Sequence, residues 1–205
     1  MDDDEYFTIK KSERAEIKIK GSKFLGFALP VSSETDAKNY ILSHSKKYFD
    51  ATHNCYAYIV GFVAQQIVRF NDDGEPSGSA GKPILSVIQG NNLTNVLVVI
   101  TRYFGGVKLG KGGLVRAYSE CTRQVLNNCN IERCYLLQQL RLKFDYPFTG
   151  AVMRAISQFD AKVIGAKYGN YTELQLQSRK KFIDELTQIL IHETSGKIEI
   201  TLSEN

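Results

Sequence analysis

The sequence lacks the spacings that mark metal centres, nucleotide-binding loops and membrane spans. Its four cysteines, Cys55, Cys121, Cys129 and Cys134, form no CxxC pair and no zinc-type spacing, so no metal is expected from them. No apolar run approaches the ~20 residues that span a bilayer, and no membrane partner is expected. The start, MDDDEYF, is acidic where a signal peptide is basic and then apolar, so none is expected. A cytoplasmic location with reduced thiols is the corresponding expectation. GxxxxGK[ST], GxGxxG and the full EF-hand spacing are all missing. No short repeat or low-complexity segment interrupts the chain, and nothing in it asks for a cofactor.

What remains is ordinary globular composition. Apolar residues make up 43% and charged residues 23% of 205 positions. A chain of this length forms one domain or two small ones and buries ~70% of its unfolded surface. The formal net charge of +4 permits an anionic partner, and it equally fits a soluble protein with scattered lysines.

Glycine is concentrated in one stretch. Between Arg69 and Tyr118 lie nine of the sixteen glycines, at 74, 78, 81, 90, 105, 106, 110, 112 and 113. Glycine costs backbone entropy and is used where φ must be positive or something must approach closely. The two glycine-rich loops flank the β-branched run Val96–Ile100, which has the pattern of a buried strand.

Along the chain, residues 1–13 are polar and read as loose at the very end. Ala15–Lys20 and Lys23–Leu29 read as a hairpin turning at Gly21-Ser22, which Pro30 ends. Ser33-Glu34-Thr35-Asp36 fits a capping box before a stripe of Ala37, Tyr40, Ile41 and Tyr48. Cys55–Val63 and Gln65–Phe70 read as strands, Pro83–Ile88 as a short helix with proline at its start, and Leu93–Thr101 as the central strand. Leu114, Tyr118, Cys121, Val125 and Cys129 then repeat at helical spacing, which places Cys121 and Cys129 on an apolar face. A boundary falls at 130–136, giving domains 1–134 and 135–205. Beyond it the pattern is β-α-β-β-α-β, a ferredoxin-like order, with its second helix stopped at Gly196. The fold class is α+β.

The motifs DDGEPSGSAGKP, TRYFGG, KLGKGGLVRAY and DATHNCYAY resemble those of the IMPACT/YigZ family, and the likeness runs over nearly the whole chain. The resemblance implies an N-terminal domain similar to the second domain of ribosomal protein S-five. It also implies a C-terminal domain similar to a ferredoxin-like domain of elongation factor G. Ser79 stands where the family often has Thr, and the hydroxyl is kept. Eukaryotic relatives are translational regulators that act through a protein partner by an additional N-terminal domain. This sequence reads as the bacterial two-domain type without it.

Four groups of residues are candidates for function. Lys108, Gly110, Lys111, Gly112, Gly113 and Arg116 place glycines and cations at a helix start, where backbone N–H groups and the helix dipole favour phosphate or a nucleic-acid backbone. The plainer alternative is a tight turn with solvated cations. Asp72, Asp73 and Glu75 could hold a metal or form a general acid/base pair. An acidic turn that caps backbone groups or pairs with Arg69, Lys82 or Arg102 carries more weight. His53 is a possible base, with a histidine hydrogen-bonded at a strand start as the plainer reading. His44 and His192 are placed on surface helices. Arg102, Tyr103 and Phe104 suit single-stranded nucleic acid, arginine on phosphate and aromatics on bases, or else plug a core between domains. Arg179-Lys180-Lys181 reads as a basic helix start.

Two function classes follow. The first is a module that binds RNA or the ribosome through the basic glycine loop, with a role in translation. The second is an enzyme on a phosphorylated or nucleotide substrate, with His53 and the carboxylates for chemistry and the Lys108–Arg116 turn for grip.

Overall fold

The β-branched run becomes β6 (Val96–Tyr103), seven of whose eight residues are buried. In the computed structural model, which describes residues 4–62 and 65–203, β6 is the middle strand of a five-stranded sheet. Its neighbours are β3 (Ser22–Pro30) and β4 (His53–Val60), with β2 (Glu13–Ile19) and β5 (Ile67–Asn71) at the edges. All four pairings are antiparallel. Helices cover both faces, which is why β6 reads as a continuous apolar run and not as an alternation. On one face α2 (Gly81–Gly90) and α3 (Gly110–Asn127) bury Phe24, Ala57, Val98 and Ile100 under Ile84, Ile88, Leu114 and Tyr118. On the other, Ala37 of α1 (Glu34–Lys47) packs with Tyr58, Leu97 and Val99. Ser33 caps α1, its Oγ accepting from the Asp36 N–H at 3.0 Å. Lys20 and Gly21, both at positive φ, turn the β2–β3 hairpin. The expected strand end at Val63 lies outside the described residues.

Residues after Leu136 form a second four-stranded sheet in the order β11-β8-β10-β9. These strands are β8 (Leu137–Phe144), β9 (Lys162–Tyr168), β10 (Thr172–Arg179) and β11 (Ile198–Ser203), interleaved with α4 (Thr149–Gln158) and α5 (Ile183–Glu193). The chain order is therefore β-α-β-β-α-β, and every pairing is antiparallel. Leu140, Leu142, Leu174 and Leu176 form its core with Val152, Ile156, Leu186 and Leu190. Gly196, at φ +78°, ends α5 by donating its N–H to the Ile191 carbonyl at 2.8 Å. The class is α+β.

Two parts differ from the expectation. Within the polar first 13 residues, where no strand is expected, lies β1 (Glu5–Ile9), and within the expected boundary lies β7 (Ile131–Tyr135); the two pair with each other. Neither carries a strong pattern of its own, because each is held by a partner distant in sequence. The chain separates into the units Tyr6–Cys134 and Tyr135 onward, but Asp4 and Glu5 group with the second. Asp4 explains this. Its buried carboxylate accepts from Arg179 Nε at 3.1 Å and Nη2 at 2.7 Å. The Arg179 bond is the main cause that holds the Asp4 carboxyl below its usual range. Arg179 thus belongs to an ion pair instead of a basic helix start, and Lys180–Phe182 form a 3-10 turn ahead of α5.

Candidate functional site

Both glycine-rich loops leave the same end of the five-stranded sheet. The register pairs His53 with Arg102 and Tyr56 with Asn71, so the start of β4 meets the ends of β5 and β6. The first loop runs from β5 into α2, and the second runs from β6 into α3.

The first loop binds its own chain. Asp72 Oδ1 accepts from the N–H groups of Ala80 (2.9 Å) and Gly81 (2.8 Å), and Oδ2 from that of Gly78 (2.8 Å). A carboxylate therefore sits at the N-terminus of α2, where the dipole favours it. Burial pushes the Asp72 carboxyl up, but these three N–H bonds and the nearby Lys111 charge outweigh it and hold it below the usual range. Asp73 Oδ2 accepts from the Asn54 N–H at 2.6 Å, and its carbonyl lies 2.7 Å from His53 Nδ1. Glu75 is buried; its Oε1 accepts from Arg102 Nη1 at 2.6 Å and from the Tyr118 hydroxyl at 2.8 Å. The structure thus gives the acidic turn the role of capping backbone groups and pairing with Arg102.

The same contacts draw in residues that sequence reasoning left apart. The Cys55 thiol lies 3.0 Å from the Asp72 carbonyl and 3.3 Å from the Tyr118 hydroxyl. Burial raises both the Cys55 and the Tyr118 pKa well above the ordinary values. His53 Nε2 stands 3.9 Å from Glu75 Oε2, so His53 and Glu75 do come together, with Asp73 bonded to the histidine's other edge. Among the described residues no group of three or more His, Cys, Asp or Glu side chains is arranged to hold a metal ion.

Arg102 does not reach solvent. It is 5% exposed, bonds Glu75 and Ser22 Oγ (3.3 Å), and cannot serve as a surface phosphate contact. Tyr103 is half-buried, its hydroxyl donating to Asp50 Oδ1 at 3.0 Å.

The second loop faces outward. Phe104 and Val107 are 46% and 49% exposed, and Lys108, Gly110, Lys111, Gly112 and Arg116 are exposed as well. Gly110 opens α3 at φ +69°. No side chain caps the 18-residue α3, and no acidic residue stands in its first turn. The root of the loop is pinned: the Phe104 N–H donates to Thr52 Oγ1 at 3.0 Å and that of Gly105 to Ser22 Oγ at 3.2 Å. A Cβ at Gly105 would fall 1.9 Å from the Gly21 carbonyl carbon, so only glycine lets the hairpin turn press against this loop.

One buried polar group was missed from sequence. His44, placed on a surface helix by expectation, is 4% exposed and packs among the rings of Phe27, Tyr40 and Tyr48. Its Nε2 lies 2.7 Å from Thr101 Oγ1, whose hydroxyl donates to Asn54 Oδ1 at 2.8 Å. Burial lowers its pKa to about 4. The signal was there in the four-residue spacing of Tyr40, His44 and Tyr48, which puts three rings on one face.

Comparison with known proteins agrees with the motifs. The Impact N-terminal domain matches residues 20–126. The chain is 36% identical to "IMPACT family member YvyE" of Bacillus subtilis, over 95% of this chain and 89% of that protein. It is 30% identical to "IMPACT family member YigZ" of Escherichia coli, over 89% and 90%. A crystal structure of a hypothetical protein superposes with TM-score 0.70 at 28% identity, covering 98% of each chain.

Proposed function

The chain belongs to the IMPACT family, and on that premise we propose that it is an RNA- or ribosome-binding module acting in the regulation of translation in the cytoplasm. The phosphate contacts are Lys108, Lys111, Arg116 and the first-turn N–H groups of α3. The observation that carries this reading is the contrast between two helix starts. The start of α2 is satisfied by Asp72 of its own chain, whereas α3 opens with exposed cations, glycines and no capping side chain. Such a start attracts an external anion. The likeness that the family resemblance implies, to the second domain of ribosomal protein S-five and to a domain of elongation factor G, agrees with this partner by analogy.

The enzyme alternative has less support. It needs free carboxylates beside His53, and Asp72 and Glu75 are both engaged by backbone or buried partners. Fluorescence anisotropy with labelled single-stranded RNA, single-stranded DNA and duplex DNA, over several salt concentrations, tests the proposal. Affinity is expected to fall linearly in log–log form with salt. Lys108→Glu, Lys111→Glu and Arg116→Glu together are expected to lower both affinity and slope. No binding at ~50 mM salt, where phosphate contacts are strong, contradicts the proposal and turns attention to nucleotide and phosphoester screens.

A further inference from the structure

We propose that Phe104 is a base-stacking platform, which makes the preferred ligand of this loop an unpaired nucleotide strand instead of a duplex; the inference rests on the nucleic-acid reading above. Phe104 is 46% exposed and joins none of the core clusters among the described residues. A large apolar ring left half in water is not unusual by itself. What sets this one apart is the effort with which it is held. Its own N–H is bonded to Thr52, the next N–H to Ser22, and the next residue is a glycine locked against the hairpin backbone.

The ring is also backed by a charge. The Arg102 guanidinium lies 5.5 Å from the Phe104 centroid and 5.4 Å from that of Phe24, a cation between two aromatic rings. Arg102 is fixed in turn by Glu75 at 2.6 Å and Ser22 at 3.3 Å. Arg102 is thus a positioning residue: it supports a ring that stays half exposed. Lys108 follows four residues later and Lys111 seven, both exposed. An extended segment of four residues spans at most ~14 Å and one of seven at most ~25 Å, so ring and cations fall within reach of one bound strand. Stacking on a fixed aromatic beside backbone-tracking cations is how single strands are held without base-specific contacts, since every base offers a π-face. In a duplex the bases are stacked on each other and present no free face to the ring.

The chain has no tryptophan, so Phe104→Trp introduces a single indole at the position where stacking is proposed. Its fluorescence is expected to be quenched on titration with single-stranded RNA or DNA and to be unchanged with duplex. Phe104→Ala is expected to weaken single-strand binding about 5- to 150-fold, the range of one base–aromatic stack. Phe104→Leu keeps apolar bulk without a π-face and is expected to weaken it similarly, with the salt slope unaltered in both. Comparison of RNA with DNA arms shows whether the sugar matters. If the wild type binds single strands but Phe104→Ala binds equally well, or Phe104→Trp is equally quenched by duplex, the platform is overturned while the basic loop stands. If the wild type binds no nucleic acid, both fall together.

Discussion

The two glycine-rich loops begin at one end of one sheet and each feeds a helix, yet they treat charge in opposite ways. In the first, three carboxylates are bonded to groups of their own chain: Asp72 to the start of α2, Asp73 to Asn54, Glu75 to Arg102 and Tyr118. In the second, the cations Lys108, Lys111 and Arg116 are turned outward and α3 has no capping side chain. Clustered titratable residues with glycines are therefore not enough to mark a site. What separates structure from function here is whether the chain already supplies the counter-group.

If the first loop is structural, its variants should lose stability. The largest effect is expected for Glu75→Ala, which strands the buried Arg102 guanidinium without its anion. Breaking a buried pair from one side costs about 3–5 kcal/mol, read as a drop in the urea-unfolding free energy at neutral pH. Retained stability would mean that Glu75 is not the anchor described.

Acid lability offers a sharper cut, because it could be misassigned to the first-loop carboxylates. His44 has its pKa lowered to about 4, so the unfolded chain takes up a proton that the folded one refuses. Its contribution is present above pH ~6.5 and is lost as pH falls toward ~4, amounting to as much as ~3 kcal/mol. The Asp72 carboxyl is held below the usual carboxylate range, so its contribution is lost only at pH values lower than this window. Unfolding free energies between pH 7 and 4.5 should fall for the wild type and stay nearly flat for His44→Gln. A fall of the same size in that variant would return the lability to other groups.

Asp72→Ala removes the acceptor of three N–H bonds at the start of α2. A lost helix cap costs about 1–2 kcal/mol, and a loss of about 2 kcal/mol is expected in denaturant unfolding, with nucleic-acid affinity little changed. The smallest stability effect belongs to the second loop. Lys108→Glu, Lys111→Glu and Arg116→Glu sit on the surface, and acidic groups near a helix start are favoured by the dipole. The triple variant is expected to be within about 1 kcal/mol of wild type by thermal unfolding while its RNA affinity collapses. A large loss of stability would place these cations in the fold instead.

Much of this architecture was legible from residue order. The Ser33 cap, the Val96–Ile100 run, the α3 stripe and the second unit's β-α-β-β-α-β order all follow from local periodicity, which needs only neighbours in sequence. The losses share one cause. β1 and β7 are strands because they find each other over a long sequence separation, Arg102 is buried because Glu75 lies 27 residues before it, and His44 of α1 is buried because Phe27 reaches it from β3. Of the candidate site, the exposed lysines and glycines of the second loop were readable. Which charges were already paired was not.

The most direct test compares backbone amide hydrogen exchange at the two helix starts, with and without a short single-stranded RNA. The amides of Gly78, Ala80 and Gly81, bonded to Asp72, are expected to be protected in both conditions. Those of Gly110, Lys111 and Gly112 are expected to exchange fast in the free protein and to become protected when RNA is added. Slow exchange at Gly110–Gly112 without ligand, or RNA binding that leaves them unprotected, would contradict the account.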